Sequence, residues 1–226
     1  MANRIDLPSV PSAFTAAAWR VSSSFRAVLR ELYGERFWPS YGPIPSREDA
    51  QASLIPPGTQ CIHGHFLADT FDGLFPGSPV IVWVRHPVER LVSKYYYLLR
   101  DPDMSDSCCR TLHERGLSLR AFADLPENRN EQTRYRAAKS FGDFAFVGVA
   151  ERFADSTARF RELFGIQCSL PVPCDNVNPL RDTATYPLWG SDREYILERN
   201  VADLCWYEEA AARLDNPGFA EVSQVA

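Results

Sequence analysis

The chain has 226 residues, of which 45% are hydrophobic and 23% charged, with a formal net charge of −5. That length supports one α/β domain with a real core, or two small domains at most. The acidic balance argues against a general nucleic-acid binder. Among 24 basic residues only Lys94 and Lys139 are lysines, which narrows the choice for any lysine-dependent chemistry. The cysteines at 61, 108, 109, 168, 174 and 205 show no Cys-x-x-Cys spacing, so reduced thiols are expected. No run of about 18 apolar residues marks a membrane span. The N-terminus lacks the basic region and apolar core of a signal peptide.

In chain order, residues 1–15 read as an irregular arm, and the Ala-rich stretch Phe14–Trp19 as a poor strand. A helix is predicted to start near Ser22–Ser24, because serine is a good N-cap. Phe25, Val28, Leu29 and Leu32 give it an apolar stripe and Gly34 ends it. Residues 35–57, rich in proline, read as loop.

Gln60–Phe66 predicts a short strand ending in a turn. His63 and His65 stand at i and i+2 and so share a strand face. A metal site needs a third ligand at suitable spacing, and none is evident. A general base is the better functional reading, since the ordinary imidazole pKa of about 6.5 lies near operating pH. A pair of histidines on the surface or at the edge of the core is the structural alternative.

Val80–Val84 is an apolar run of strand length, followed by Arg85 and then by Pro87, which suits a first helical turn. Val88, Leu91, Val92, Tyr95 and Leu99 form one helical stripe, which places Arg90, Ser93 and Tyr97 on the outer face. A helix N-terminus flanked by two arginines and a serine can hold an anion. The same pattern also fits an ordinary strand–turn–helix with solvated charges.

Residues 101–143 are polar, with a short helix expected within Leu117–Leu125 and a basic cluster at Arg129, Arg134, Arg136 and Lys139. Phe144–Val149 predicts a buried strand. A helix follows over 154–164, anchored by Phe153, Phe160 and Leu163 and stopped by Gly165. Residues 166–190 read as extended. Ser191–Glu194 forms a capping box for a helix running to about Leu214. Strands alternating with helices predict a single α/β domain, 1–226, with a mostly parallel sheet and its ligand at the strand C-terminal ends.

Arg85-His86-Pro87-Val88-Glu89-Arg90-Leu91-Val92-Ser93-Lys94-Tyr95 resembles the Arg-x-Pro-x-x-Arg-x-x-Ser-x-Tyr segment of carbohydrate sulfotransferases of the heparan sulfate 2-O-sulfotransferase type (sulfotransferase family 2). In that family the segment holds the 3′-phosphate of the donor, 3′-phosphoadenylyl sulfate (PAPS). The resemblance implies that Arg85 and Ser93 bind this phosphate with Arg90 in support. His86 stands where the family often has Asp. His63-Gly64-His65-Phe66 resembles the family's His-Gly-His segment, which implies His65 as the base toward the acceptor hydroxyl and His63 as its assistant.

Arg20-Val21-Ser22-Ser23-Ser24-Phe25-Arg26 resembles the end of the family's Pro-Lys-Thr-Gly-Gly-Thr-Ser loop, which wraps the 5′-phosphosulfate. Ser22, Ser23 and Ser24 then take the 5′ side. The Pro-Lys part is absent, and Arg20 is the nearest cation in the sequence before the helix. Glu127–Tyr135 resembles an Asn-x-Gln-Thr-Arg segment and implies substrate-lining roles for Arg129, Gln132 and Arg134. Phe146–Phe153 resembles a strand, Glu-Arg-Phe, helix unit of architectural character. Asn176–Pro179 resembles an Asn-Pro turn.

The fold implied is a P-loop NTPase-like three-layer sandwich. The function implied is sulfuryl transfer from PAPS to a hydroxyl, of a carbohydrate by analogy, without a metal and in the cytoplasm. The altered N-terminal loop motivates the alternative of a nucleotide- or glycan-binding module without turnover. A P-loop kinase is disfavoured, because Gly-x-x-x-x-Gly-Lys-Ser/Thr is absent.

Overall fold

The structure is a computed structural model that describes residues 13–17, 21–41, 50–166 and 188–216, with 13–17 and 21–24 as backbone alone. Among the described residues five strands form one sheet: β1 (Ala13–Ala17), β2 (Phe37–Ser40), β3 (Cys61–Gly64), β4 (Val80–Val84) and β5 (Phe146–Val149). Their spatial order is β2-β3-β1-β4-β5, and every adjacent pair is parallel.

The Ala-rich stretch read as a poor strand is therefore the middle strand of the sheet. Residues 13–15 belong to β1 and not to an arm. Strand propensity depends on context, and β1 has a hydrogen-bonded neighbour along each side, β3 and β4. Within the presumed loop 35–57, Phe37–Ser40 also forms a strand. Pro39 is tolerated there because β2 lies at the sheet edge, where one missing N–H breaks no ladder.

The helices are α1 (Val21–Tyr33), α2 (Pro87–Arg100), α3 (Ser107–Arg115), α4 (Leu119–Ala123), α5 (Glu131–Tyr135), α6 (Phe153–Leu163), α7 (Gly190–Glu198) and α8 (Val201–Asp215). Alternation along β4 sorts them into layers. Ile81 and Trp83 face Phe25, Val28 and Leu29 of α1 and Phe160 of α6. Val80, Val82 and Val84 face the other way, into a cluster with Ile62, Phe66, Phe144 and Trp206 of α8. The result is a three-layer α/β/α sandwich. A third cluster ties α2, α3, α4 and α7 together through Val88, Leu91, Leu98, Leu112, Phe122 and Ile196.

Two glycines mark close approaches. A Cβ on Gly64 would lie 1.6 Å from the carbonyl oxygen of Ser40, and one on Gly148 would lie 2.5 Å from the Trp83 ring. Gly34 ends α1 with φ +56°, and Gly165 follows α6 with φ +64°, both as the sequence predicts.

The single helix predicted from the Ser191 capping box is two. α7 starts at Gly190, so Ser191 lies in its first turn and accepts from Arg120 Nη2 at 3.1 Å instead of capping. The break before α8 is fixed by Asn200, whose Oδ1 accepts from the Asn130 N–H at 2.8 Å. Leu99 and Leu163, expected in apolar stripes, are exposed, while Leu98 enters the core instead. No helix among the described residues is long and apolar enough to cross a membrane. Asn176–Pro179 lies outside the described residues.

Candidate active site

β4 delivers Arg85 to the C-terminal edge of the sheet, and Pro87 opens α2 two residues later. The backbone of Arg85 is clamped by the side chain of Gln132. Gln132 Oε1 accepts from the Arg85 N–H at 2.8 Å, and Gln132 Nε2 donates to the Arg85 carbonyl at 2.8 Å. Gln132, expected to line substrate, is thus buried and serves to hold the turn. Its own position is set by Asp203 of α8. That carboxylate accepts from the N–H of Gln132 at 3.1 Å, and from the N–H and Oγ1 of Thr133 at 2.7 Å each.

The Arg85 guanidinium is held by a second group. Its Nε lies 3.6 Å from Glu151 Oε1, and the same oxygen accepts from the His86 N–H at 3.2 Å. Burial pushes the Glu151 carboxyl above its usual range, against the pull of Arg85. Burial likewise lowers the His86 imidazole. The Glu-Arg-Phe unit, expected to be architectural, therefore places a carboxylate on the proposed anion-binding arginine.

Arg90 and Ser93 do not sit on an outer, solvated face. They are 3% and 1% exposed, in a stretch of α2 that is buried from Pro87 through Lys94. The polar stripe is roofed by other parts of the chain, Glu131 of α5 among them. Arg90 Nη2 lies 2.7 Å from Glu131 Oε2, in an ion pair not aligned as a hydrogen bond. Lys94 Nζ lies 3.0 Å from the same oxygen and donates to Asn128 Oδ1 at 2.8 Å. Burial by itself would raise the Glu131 carboxyl, but Arg90 and Lys94 reverse the effect and hold it at about 2. Two cations share one carboxylate, so this buried cluster carries a net positive charge. Arg90 Nε and Ser93 Oγ have no hydrogen-bond partner among the described residues, although both are buried. Orphaned buried donors are uncommon and point to an absent acceptor.

The histidines lie two strands away. His63 is fully buried in β3, and His65 follows the strand end, its N–H donating to the Ser40 carbonyl at 3.3 Å. Tyr41 meets both rings edge-on, at centroid distances of 5.8 Å to His63 and 5.2 Å to His65. The two rings therefore share a neighbour, as the i, i+2 spacing predicts.

Register places β1 between the two groups. Ala16 pairs with Gly64, and Ala17 pairs with Trp83, so β1 ends beside the His65 and Arg85 turns. α1 begins at Val21, which puts Ser22–Ser24 inside its first turn and not at the cap. The backbone N–H groups of Ser22 and Ser23 are among those a helix leaves without internal partners. Arg20 lies outside the described residues.

The other expected substrate contacts separate. Arg129 is exposed and pairs with Asp124 at 3.3 Å. Arg134 donates to the carbonyls of Pro126 and Glu127, and borders a cavity of about 350 Å³ shared with Lys94, Cys108, Glu131 and Tyr135. Lys94, Glu131, Asp203, Glu151 and Tyr41 all escape sequence reasoning about the site. Lys94, Glu131 and Glu151 fall within segments that carry the resemblance, but their partners stand tens of positions away and no local pattern points to them.

Neither a protein-family model nor a curated protein matches this chain. Among solved structures it is similar to a sulfotransferase from Alicyclobacillus acidocaldarius. The identity is 16%, covering 94% of this chain and 97% of that one, with a TM-score of 0.45.

Proposed function

We propose that the protein is a sulfotransferase that moves a sulfuryl group from PAPS to a hydroxyl, with a carbohydrate as acceptor class. The observation that carries this reading is the pair of buried donors on α2, Arg90 Nε and Ser93 Oγ, that have no partner among the described residues. They follow a strand-end arginine clamped by Gln132 and Glu151. A phosphate supplies the missing acceptors, and Arg85, Arg90 and Ser93 match the family's 3′-phosphate segment residue by residue.

In the proposed reaction His65 accepts the acceptor's hydroxyl proton as that oxygen attacks sulfur. The bond from sulfur to the 5′-phosphate oxygen breaks, and its electron pair stays on the phosphate. His63, buried against Phe37 and Tyr41, fixes the strand end that presents His65. The N–H groups of the first turn of α1 face the growing negative charge, an arrangement that lowers such barriers when preorganised.

A module that binds nucleotide or glycan without turnover is the second reading. It is favoured by the absence of lysine from residues 18–20, between β1 and α1. Calorimetric titration with adenosine 3′,5′-bisphosphate tests both. Binding is expected, lost in Arg85→Ala and weakened in Ser93→Ala; absence of binding to the unaltered protein sinks the sulfotransferase reading and the nucleotide-binding form of the second. Transfer of radiolabelled sulfate to a panel of carbohydrate hydroxyls then separates them.

A further inference from the structure

Sulfuryl transfer leaves negative charge on the oxygen that departs, and a fixed cation there lowers the barrier. Residues 18–20 offer no lysine. Arg26, on the second turn of α1, is placed differently from the other site arginines. Arg85 is matched by Glu151 and Arg90 by Glu131. Arg26 has no acidic partner among the described residues. Its guanidinium carbon instead stands 5.7 Å from the centroid of the Tyr41 ring. Tyr41 is the residue whose ring also contacts His63 and His65.

We infer that Arg26, held over Tyr41 beside the histidine pair, supplies the cation for the reactive 5′ end of the donor. This inference rests on the sulfotransferase reading. α1 starts at the C-terminal end of β1, and β3 ends alongside, so a side chain long enough to span from α1 to Tyr41 lies at the same edge as His65. An arginine suits the task because its planar fork offers five donors and keeps its charge at any working pH. The aromatic face orients the guanidinium without neutralising it, which a carboxylate partner would do.

The test compares two ligands by calorimetry. PAPS carries both ends of the donor, and adenosine 3′-monophosphate carries only the 3′ end. Arg26→Met keeps an apolar stem against Tyr41 and removes the charge. It is expected to weaken PAPS binding roughly 10- to 100-fold, the range for a lost hydrogen bond to a charged group, and to leave adenosine 3′-monophosphate unaffected. Arg26→Lys is expected to restore part of the difference, since it returns charge without the fork. Equal loss for both ligands indicates a structural role and overturns the inference, as does unchanged PAPS binding in Arg26→Met. If Arg26→Met does not fold, Arg26→Lys decides by the same comparison: selective weakening of PAPS supports the inference, and equal or no change overturns it. If the unaltered protein binds neither ligand, the sulfotransferase reading falls and this inference with it. PAPS binding that persists unaltered in the variants removes only the role of Arg26.

Discussion

At the scale of single residues, the decisive feature is a carboxylate shared by two cations. Glu131 is buried and holds Arg90 and Lys94 from another element. Removing one partner of a buried ion pair costs about 3–5 kcal/mol, because the other charge is left unsolvated. Glu131→Gln is therefore expected to lower stability by an amount in that range in urea unfolding. If the freed cations face the 3′-phosphate, saturating adenosine 3′,5′-bisphosphate restores part of the loss through binding linkage. His65 predicts a different signature. A general base contributes about 10²–10⁴-fold to rate. His65→Ala is expected to cut sulfate transfer by that factor while calorimetric nucleotide binding stays intact. Transfer that survives at full rate rejects His65 as the base.

At the scale of elements, two junctions hold the site in place. Where β2 meets the end of β3, Gly64 allows the two backbones to approach, and an added Cβ would fall 1.6 Å from the Ser40 carbonyl oxygen. Gly64→Ala must part the strand ends that carry Tyr41 and His65. A cost of about 3 kcal/mol is expected, at the upper end for overpacking, read by chemical unfolding. At the other junction, α8 holds α5 through Asp203, and α5 holds the β4–α2 turn through Gln132. Gln132→Ala removes both side-chain bonds to the Arg85 backbone and exposes their partners to the cost of burial without a hydrogen bond. A stability loss of about 1–3 kcal/mol is expected. Weaker binding of adenosine 3′,5′-bisphosphate should accompany it, although Gln132 itself touches no ligand in this reading.

At the scale of the whole molecule, the buried charges set how stability responds to acid. Glu131 titrates at about 2 in the folded chain against an ordinary value of 4.5. Its folded pKa is depressed, so its contribution is complete above the ordinary value and is lost as pH falls from 4.5 through about 2. Glu151 works in the opposite sense. Burial raises its folded pKa, so protonation is favoured by folding, and its charge detracts from stability as pH rises past its ordinary range. Unfolding midpoints measured down to about pH 2 should therefore fall steeply in the native chain. In Glu131→Gln the same limb should flatten. An unchanged slope would mean that Glu131 does not control the acid response.

Local pattern was enough for the units whose signal is contained in a few neighbouring residues. The apolar run Val80–Val84 followed by Arg85 and Pro87, the strand ending at His63-Gly64-His65, and the strand–helix unit around Phe146–Phe153 all form where the sequence places them. Each has a short apolar core and a turn or helix-starting residue beside it. The rest was decided by tertiary structure. Ala13–Ala17 carries no strand pattern and becomes the central strand because β3 and β4 bond it on both edges. Arg90 and Ser93 lie on the polar side of a helical wheel and are buried because that wheel assumes water on its polar side, whereas Glu131 of α5 meets Arg90 there. Glu151 and Asp203 look like ordinary polar residues in the sequence, and Gln132 reads there as substrate-lining. Their roles arise from partners 47 to 71 positions away, a separation that no local period encodes.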